Sequence, residues 1–452
     1  MDGKVLYEEI EKYMGKKIVL EGWIKNHRKQ KEFGFISFSD GTYFTPIQII
    51  YENTLENFET ISKYHIGSAI RVEGTVVESP KDGQDFEVVA DNIILLGDCP
   101  EDYPVQPKRH TREFLREIAY LRPRTNLFQA VFRVRSVASQ AIHNYFQDRG
   151  YIYLHAPIIT ASDAEGAGEM FKVTTLEAKE TDYSKDFFGK KASLTVSGQL
   201  QAETFAHAYK KTYTFGPTFR AENSNTKTHA AEFWMIEPEI AFCDLKGDMD
   251  IMEDMLRTVV EEVMKKCKVE LEFLDKFVEQ GLLDKLKSLI DTKAIRITHE
   301  EAITILKESK TKFDFEPEYG SDLAREHEKY LTEEKFKSPV FVYDWPKEIK
   351  AFYMRLNDDD KTVAAVDLLV PGSGELMGGS QREERLDLLL NRMKEMNVDQ
   401  EELEFYTNLR KYGGCQTSGF GMGFERLIMY LTGVDNIRDV IAYPRTPGNC
   451  DY

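Results

Sequence analysis

Three stretches of this 452-residue chain carry side chains whose types and spacing suit chemistry. The first, TYTFGPTFRAENSNTKTHAAEFWMIEPEIAF, runs from Thr212 to Phe242 and reads as strand, loop and strand. Arg220 and Glu222 stand two apart, so on a pleated strand they point the same way. In the return arm Phe233, Met235, Glu237, Glu239 and Ala241 share one face, and Trp234, Ile236, Pro238, Ile240 and Phe242 share an apolar one. A face of carboxylates beside an arginine and an aromatic is seldom buried without a ligand. A solvent-facing sheet edge has the same pattern. Pro238 cannot donate to a ladder, which counts against a central strand. In the second stretch Arg426 follows Gly421 and Gly423 in what reads as the first turn of a helix, where glycines permit close approach and the helix end favours an anion. In the third, Asp367 and Glu375 flank the turn Pro371-Gly372-Ser373-Gly374, so two hard oxygen ligands can converge on Mg²⁺. Two arginine forks plus a carboxylate pair fit a nucleoside triphosphate, although charge pairs at sheet ends are also common structural features. No strand–GxxxxGK[ST]–helix occurs, so an ATP site here is not a P-loop.

The elements that must position these residues follow from pattern. Residues 1 to about 100 read as a leading helix, Val5 to Met14, then five short strands: KIVLEGWIKNHR, FGFISFSD, FTPIQIIYE, AIRVEGTVVES and DFEVVADNIILLGD. Turn signals between them suit a small barrel. Lys25, His27, Arg28, Lys29 and Lys31 lie in one hairpin with Phe33 and Phe35, the pattern of a single-strand-binding oligonucleotide barrel. A solvated hairpin with core phenylalanines fits those residues as well. Pro100 to Pro107 reads as a linker, and a second basic run follows: Lys108, Arg109, His110, Arg112, Arg116, Arg122 and Arg124. It suits either a nucleic-acid backbone or a salt-bridged surface. Helical spacing from Asn126 towards Asp148 gives way to a strand at YIYLHAPIIT and a glycine-bearing loop, SDAEGAGEMFKV. Residues 245 to about 335 read as mostly helical and offer no chemistry. The segments PVFVYDWPKEIKAFYMRL, TVAAVDLLVPGSGELMGGSQREERL and TSGFGMGFERLIMYLTGVDNIRDVI return to strand. After residue 125 the expectation is α+β with predominantly antiparallel strands.

Bulk composition narrows the class. Hydrophobic content of 42% and charged content of 30% are ordinary for a globular protein. A net charge of −18 excludes a protein that coats nucleic acid nonspecifically, and any polyanion must meet local basic patches. Five scattered cysteines without CxxC spacing point to a reducing compartment and against a cysteine-built zinc site. No apolar run is long enough for a membrane span and the first residues lack a signal core, so the expected location is cytoplasmic, with no membrane partner.

FRAENSNTKTHAAEF with its following EPE resembles motif 2 of class II aminoacyl-tRNA synthetases, and GFGMGFERL resembles motif 3. FGPTFRAENSNT, EGAGEMF, IKAFYMRLN, GGSQREERLD and the terminal PRTP are similar to asparaginyl-tRNA synthetases in particular, across essentially the whole chain. The resemblance implies an OB-fold anticodon-binding barrel over residues 1–100, a hinge over 101–125 and a catalytic domain over 126–452. That domain would be built on an antiparallel sheet with flanking helices. It implies activation of L-asparagine by ATP with Mg²⁺, transfer to tRNA(Asn), and a homodimer formed through Asn126 to Thr160.

By the same resemblance Arg220 holds the α-phosphate and the substrate carboxylate, Glu222 accepts from the adenine amino group, and Phe233 stacks on the ring. Arg426 meets the γ-phosphate, and Asp367 and Glu375 hold Mg²⁺. Glu165, Ser197 and Gln199 receive the α-ammonium, and Arg382 takes the side-chain oxygen. In the barrel Phe35 stacks on the central anticodon base and Gln48 reads it, with Arg28 on the same basic hairpin. A carboxamide offers a donor where a carboxylate offers none, so Glu237 as acceptor favours asparagine over aspartate. Unpaired buried groups can discriminate by roughly 10⁴. Alternatives are an aspartate–tRNA ligase, an asparagine synthetase (whose relatives lack the barrel), or an inactive tRNA-binding paralogue. One departure stands out: Gln416-Thr417-Ser418-Gly419 replaces the family's usual Pro-His-Ser-Gly, which implies retained activity with an altered KM.

Overall fold

The computed structural model describes residues 1–80, 83–162 and 169–452. The chain divides into two compact units, Met1–Ala130 and Val131–Tyr452.

In the first unit β1 (Lys17–Lys29), β2 (Phe33–Ser39), β3 (Ile47–Glu52), β4 (Ala69–Glu78) and β5 (Phe86–Gly97) close a barrel in the order β1-β2-β3-β5-β4. All pairs are antiparallel except β3 with β5, where Ile49 faces Val88. Strict alternation sends Ile18, Leu20, Ile36, Phe38 and Val72 into the core. Gly34 passes so close to Tyr51 that a Cβ there would lie 2.2 Å from the ring. Only glycine fits. The leading helix is not continuous: Gly3–Glu8 and Ile10–Tyr13 are separated at Glu9, whose φ of −132° leaves the helical region.

The second unit is built on an eight-stranded sheet. Its further strands are β6 (Ile152–Tyr153), β7 (Ile159–Thr160), β8 (Lys172–Val173), β9 (Ala192–Leu194), β10 (Lys211–Phe219) and β11 (Glu232–Ala241). Then come β12 (Ile295–Thr298), β13 (Val340–Pro346), β14 (Thr362–Val370), β15 (Gly374–Gln381) and β16 (Thr417–Gly423). The order is β12-β13-β14-β15-β16-β11-β10-β6, antiparallel except at the two ends, with β7-β9-β8 as a small separate sheet. The expected single strand at YIYLHAPIIT is instead β6 and β7, in different sheets. Pro157, which has no N–H to give a ladder, lies between them. β12 interrupts a region expected to be helical.

β11 is a central strand despite Pro238. Its ladder with β10 is continuous, but the ladder with β16 lapses between Ile236 and Glu239, where the proline has no donor to offer. Ile236 and Ile240 are buried, as the apolar face requires.

Candidate active site

The cleft with the richest chemistry opens where β11, β15 and β16 end beside the helix Phe424–Thr432. Its cavity volume is ≈ 240 Å³, and it is lined by Arg220, Glu222, Phe233, Met235, Glu375, Gly421, Gly423 and Arg426, among others. β10 stops at Phe219, so Arg220 and Glu222 stand on the loop that follows and not on a pleated face. The loop, not the pleat, brings them together. Its root is held by Arg220 N–H donating to the Ala231 carbonyl at 3.0 Å. The Arg220 guanidinium lies 5.6 Å from the centre of the Phe233 ring. Gly421 keeps the floor low, since a Cβ there would come within 2.9 Å of the Met235 methyl. At the far end Arg426, in the first turn of its helix, donates to the Glu375 carbonyl at 3.2 Å and stands 3.6 Å from that carboxylate. Glu425 braces the wall: it accepts from Arg135 at 2.7 Å and from Trp234 N–H at 2.9 Å.

Asp367 and Glu375 converge over Gly378, where a Cβ would lie 3.2 Å from Oδ1 of the first and 3.4 Å from Oε1 of the second. Burial, reinforced by the Glu375 charge, lifts the Asp367 carboxyl to about 6 against the pull of Lys350, whose amine donates to it at 2.8 Å. Glu328 joins them, accepting from Glu375 N–H at 3.3 Å, and burial followed by the Glu375 charge lifts it to about 7. Neither Glu328 nor Lys350 stands out in the sequence: one is a glutamate in a charged helix, the other a lysine near a turn. Among the described residues no group of three or more His, Cys, Asp or Glu forms a metal cage. The converging hard-oxygen pair, already attracting one cation, fits Mg²⁺ held by two carboxylates with phosphate and water completing its shell.

Further along the polar face of β11 lies a buried cluster of hydrogen-bonded polar side chains. Glu237 accepts from Ser197 Oγ on one oxygen, and from Gly198 N–H at 2.9 Å and Thr214 Oγ1 at 3.0 Å on the other. Ser197 Oγ in turn accepts from Gln199 N–H at 3.0 Å. Gln199 carries a buried side-chain amide nitrogen without a partner among the described residues, a polar atom left for a ligand. Arg382 forks onto Glu239, with Nε 3.1 Å from Oε2 and Nη2 on Oε1, and gives Nη1 to Ser380 at 2.6 Å. Burial raises Glu239 to about 7 even with Arg382 drawing it down. The expected ligand contact of Arg382 therefore has to come from the N–H groups that Glu239 and Ser380 leave over. Glu165 lies outside the described residues.

In the barrel unit, Phe33 and Phe35 point outward with ring centres 5.2 Å apart and stay out of the core, so the core reading of these rings fails. Arg28 is exposed and lies opposite Phe35. Gln48 donates to Glu87 at 3.2 Å. His27 departs from the basic edge: it is clamped between the Tyr64 carbonyl at 2.9 Å and the Tyr51 hydroxyl at 2.7 Å. Arg122 is also no surface cation, being fully buried against the Phe128 ring.

Residues 111–447 match the model of the tRNA synthetases class II (D, K and N), and residues 18–96 match that of the OB-fold nucleic acid binding domain. The chain is 60% identical over 455 residues to the asparagine–tRNA ligase of Acholeplasma laidlawii (strain PG-8A), covering 99% of this chain and 98% of that one. It is 57% identical to the asparagine–tRNA ligase of Alkaliphilus metalliredigens (strain QYMF), covering 99% of each. Its fold superposes with a TM-score of 0.87 on asparaginyl-tRNA synthetase from Pyrococcus horikoshii complexed with asparaginyl-adenylate, at 32% identity and covering 98% and 97% of the two chains. With Arg220, Glu222, Phe233, Glu375 and Arg426 gathered at one cleft, and the carboxylates of Glu237 and Glu239 buried further along the same strand, the chain belongs to the class II tRNA synthetases (D, K and N).

Proposed function

We propose that this chain is an asparagine–tRNA ligase that forms asparaginyl-adenylate from L-asparagine and ATP and passes the asparaginyl group to tRNA(Asn). The observation that carries the reading is the cleft with Arg220 against Phe233 at one end and Arg426 against Glu375 at the other. Its charge pattern is complementary to a triphosphate whose base stacks at the arginine–aromatic end. The relatives named above support the choice of amino acid, and the adenylate bound to the Pyrococcus neighbour supports the chemistry.

In this reading the adenine ring stacks on Phe233 with its amino group towards Glu222. Arg220 holds the α-phosphate and the asparagine carboxylate together, so the attacking oxygen is in line with the departing pyrophosphate. Positioning and fixed charge carry most of such a displacement. Arg426 takes the γ-phosphate. Mg²⁺, when bound by Asp367 and Glu375, supplies charge neutralisation to the pyrophosphate. Ser197 and Gln199 face the α-ammonium, a role the family resemblance extends to Glu165; Arg382 gives a free N–H to the carboxamide oxygen, and Glu237 accepts from its NH₂. A terminal hydroxyl of the tRNA then attacks the adenylate carbonyl and AMP leaves. The barrel is the anticodon-binding domain, with Phe35 stacking on a base, Gln48 reading it and Arg28 meeting the backbone. The working molecule is a homodimer in the cytoplasm. Support for the dimer comes from β6, an end strand of the sheet with Ile152 and Tyr153 exposed.

Amino-acid-dependent exchange of pyrophosphate into ATP, run with asparagine and aspartate in parallel, tests the reading. Exchange with asparagine is expected to exceed that with aspartate by roughly 10⁴. Exchange with aspartate alone, or with neither, overturns it.

A further inference from the structure

Resting on that reading, we infer that Thr214 is a specificity-positioning residue: with Ser197 and the Gly198 N–H it leaves Glu237 a single acceptor direction, fixed towards the substrate's carboxamide. A carboxylate has about four acceptor directions. Thr214 Oγ1 and Gly198 N–H fill those of Oε2, and Ser197 Oγ fills one of Oε1. The sense of the Ser197 bond is determined, because its oxygen already accepts from Gln199 N–H and its proton is free to go to Glu237. Thr214 has no other hydrogen-bond partner for its hydroxyl among the described residues, so it donates as well.

The vacancy is therefore on Oε1, and it can only accept. Glu237 keeps 5% of its surface open, enough for one polar contact and too little for a hydrated carboxylate to reorient. An amide NH₂ satisfies that vacancy; a second carboxylate meets it with like charge and no proton. The surrounding packing holds the arrangement. Gly198 opens the helix Gln199–Tyr209, and a Cβ there would lie 3.1 Å from Ala156 Cβ, 3.1 Å from Thr214 Cγ2 and 3.3 Å from Glu237 Oε2. Thr214 lies directly opposite Glu237 in the β10–β11 ladder, so strand register keeps the hydroxyl in place.

Removing the hydroxyl opens a second acceptor direction on Oε2 and frees the carboxylate to turn. The test is steady-state pyrophosphate exchange on the wild type, T214V, T214A and T214S, with KM and kcat measured for asparagine, aspartate and ATP. Losing a hydrogen bond to a charged group predicts a rise of about tenfold or more in the asparagine KM of T214V. T214A is expected to show the same rise without the added bulk, and T214S to restore the wild-type value. The ATP KM should stay unchanged throughout, which also reports that the variants are folded. The preference for asparagine over aspartate should fall by a similar factor. A functioning wild type whose T214V and T214A keep the asparagine KM, or raise the asparagine and ATP values together, overturns this inference alone. A wild type that exchanges nothing with asparagine overturns the activity and this inference together.

Discussion

His27 shows how little a residue's type says before its neighbours are known. In the sequence it belongs to a basic hairpin. In the structure burial lowers its pKa, with the nearby Lys29 charge adding to the effect, and both ring nitrogens are engaged inside the barrel. Because the folded pKa lies below the unfolded one, near 6.5, the neutral ring stabilises the fold above that value. The contribution is lost as pH falls through the ordinary histidine range. H27Q, neutral at every pH, should cost about 1–2 kcal/mol at pH 7.5. The gap to wild type should narrow as the medium is acidified below pH 6.5. Urea unfolding of both proteins across pH 5 to 8 measures it, and a gap that widens in acid contradicts the assignment.

Among the elements, β2 and the β10–β11 hairpin depend on glycine and register in different ways. Gly34 lets β2 lie across Tyr51, whose hydroxyl contacts His27, so one absent side chain makes room for the clamp. G34A should destabilise the barrel by about 3 kcal/mol, the overpacking range, seen as an earlier thermal transition; an unchanged transition would show that Tyr51 can step aside. In the hairpin the alternation Thr212, Thr214, Gly216, Thr218 marks a polar face in the sequence itself. What it does not give is the register, because the loop 220–231 is too long to impose one. Pairing Thr214 with Glu237 takes the whole ladder from Lys211↔Ile240 to Phe219↔Glu232.

For the molecule as a whole, a net charge of −18 means that a polyanion such as tRNA must meet local basic features, for which the proposal names the face carrying Arg28 and Phe35. Salt should therefore weaken tRNA binding more steeply than it weakens ATP binding. The exposed apolar edge at β6 makes a concrete prediction about assembly. Analytical ultracentrifugation of the wild type should show a particle of two chains, and I152D should shift it to one. A single-chain wild type would remove the dimer from the proposal.

The five barrel strands, the β10–β11 hairpin, the α+β class, the motif residues and the face on which Glu237 and Glu239 stand were all legible in the sequence, whereas the break between β6 and β7 and the strand β12 were not. The legible features follow from period-two alternation, glycine turns and short-range spacing, all local in the chain. The folded structure was needed to show that Arg220 and Glu222 meet the cleft from a loop and that Arg382 is already forked onto Glu239. It also brought Glu328 and Lys350 to the Asp367–Glu375 pair and turned His27 inward. Each of those facts depends on which donor stands within about 3 Å of which acceptor. That distance is fixed by strand register and helix packing between residues far apart in sequence. Glu237 draws on both: alternation put the carboxylate on the polar face of β11, and Thr214, Gly198 and Ser197 decided which of its lone pairs are filled.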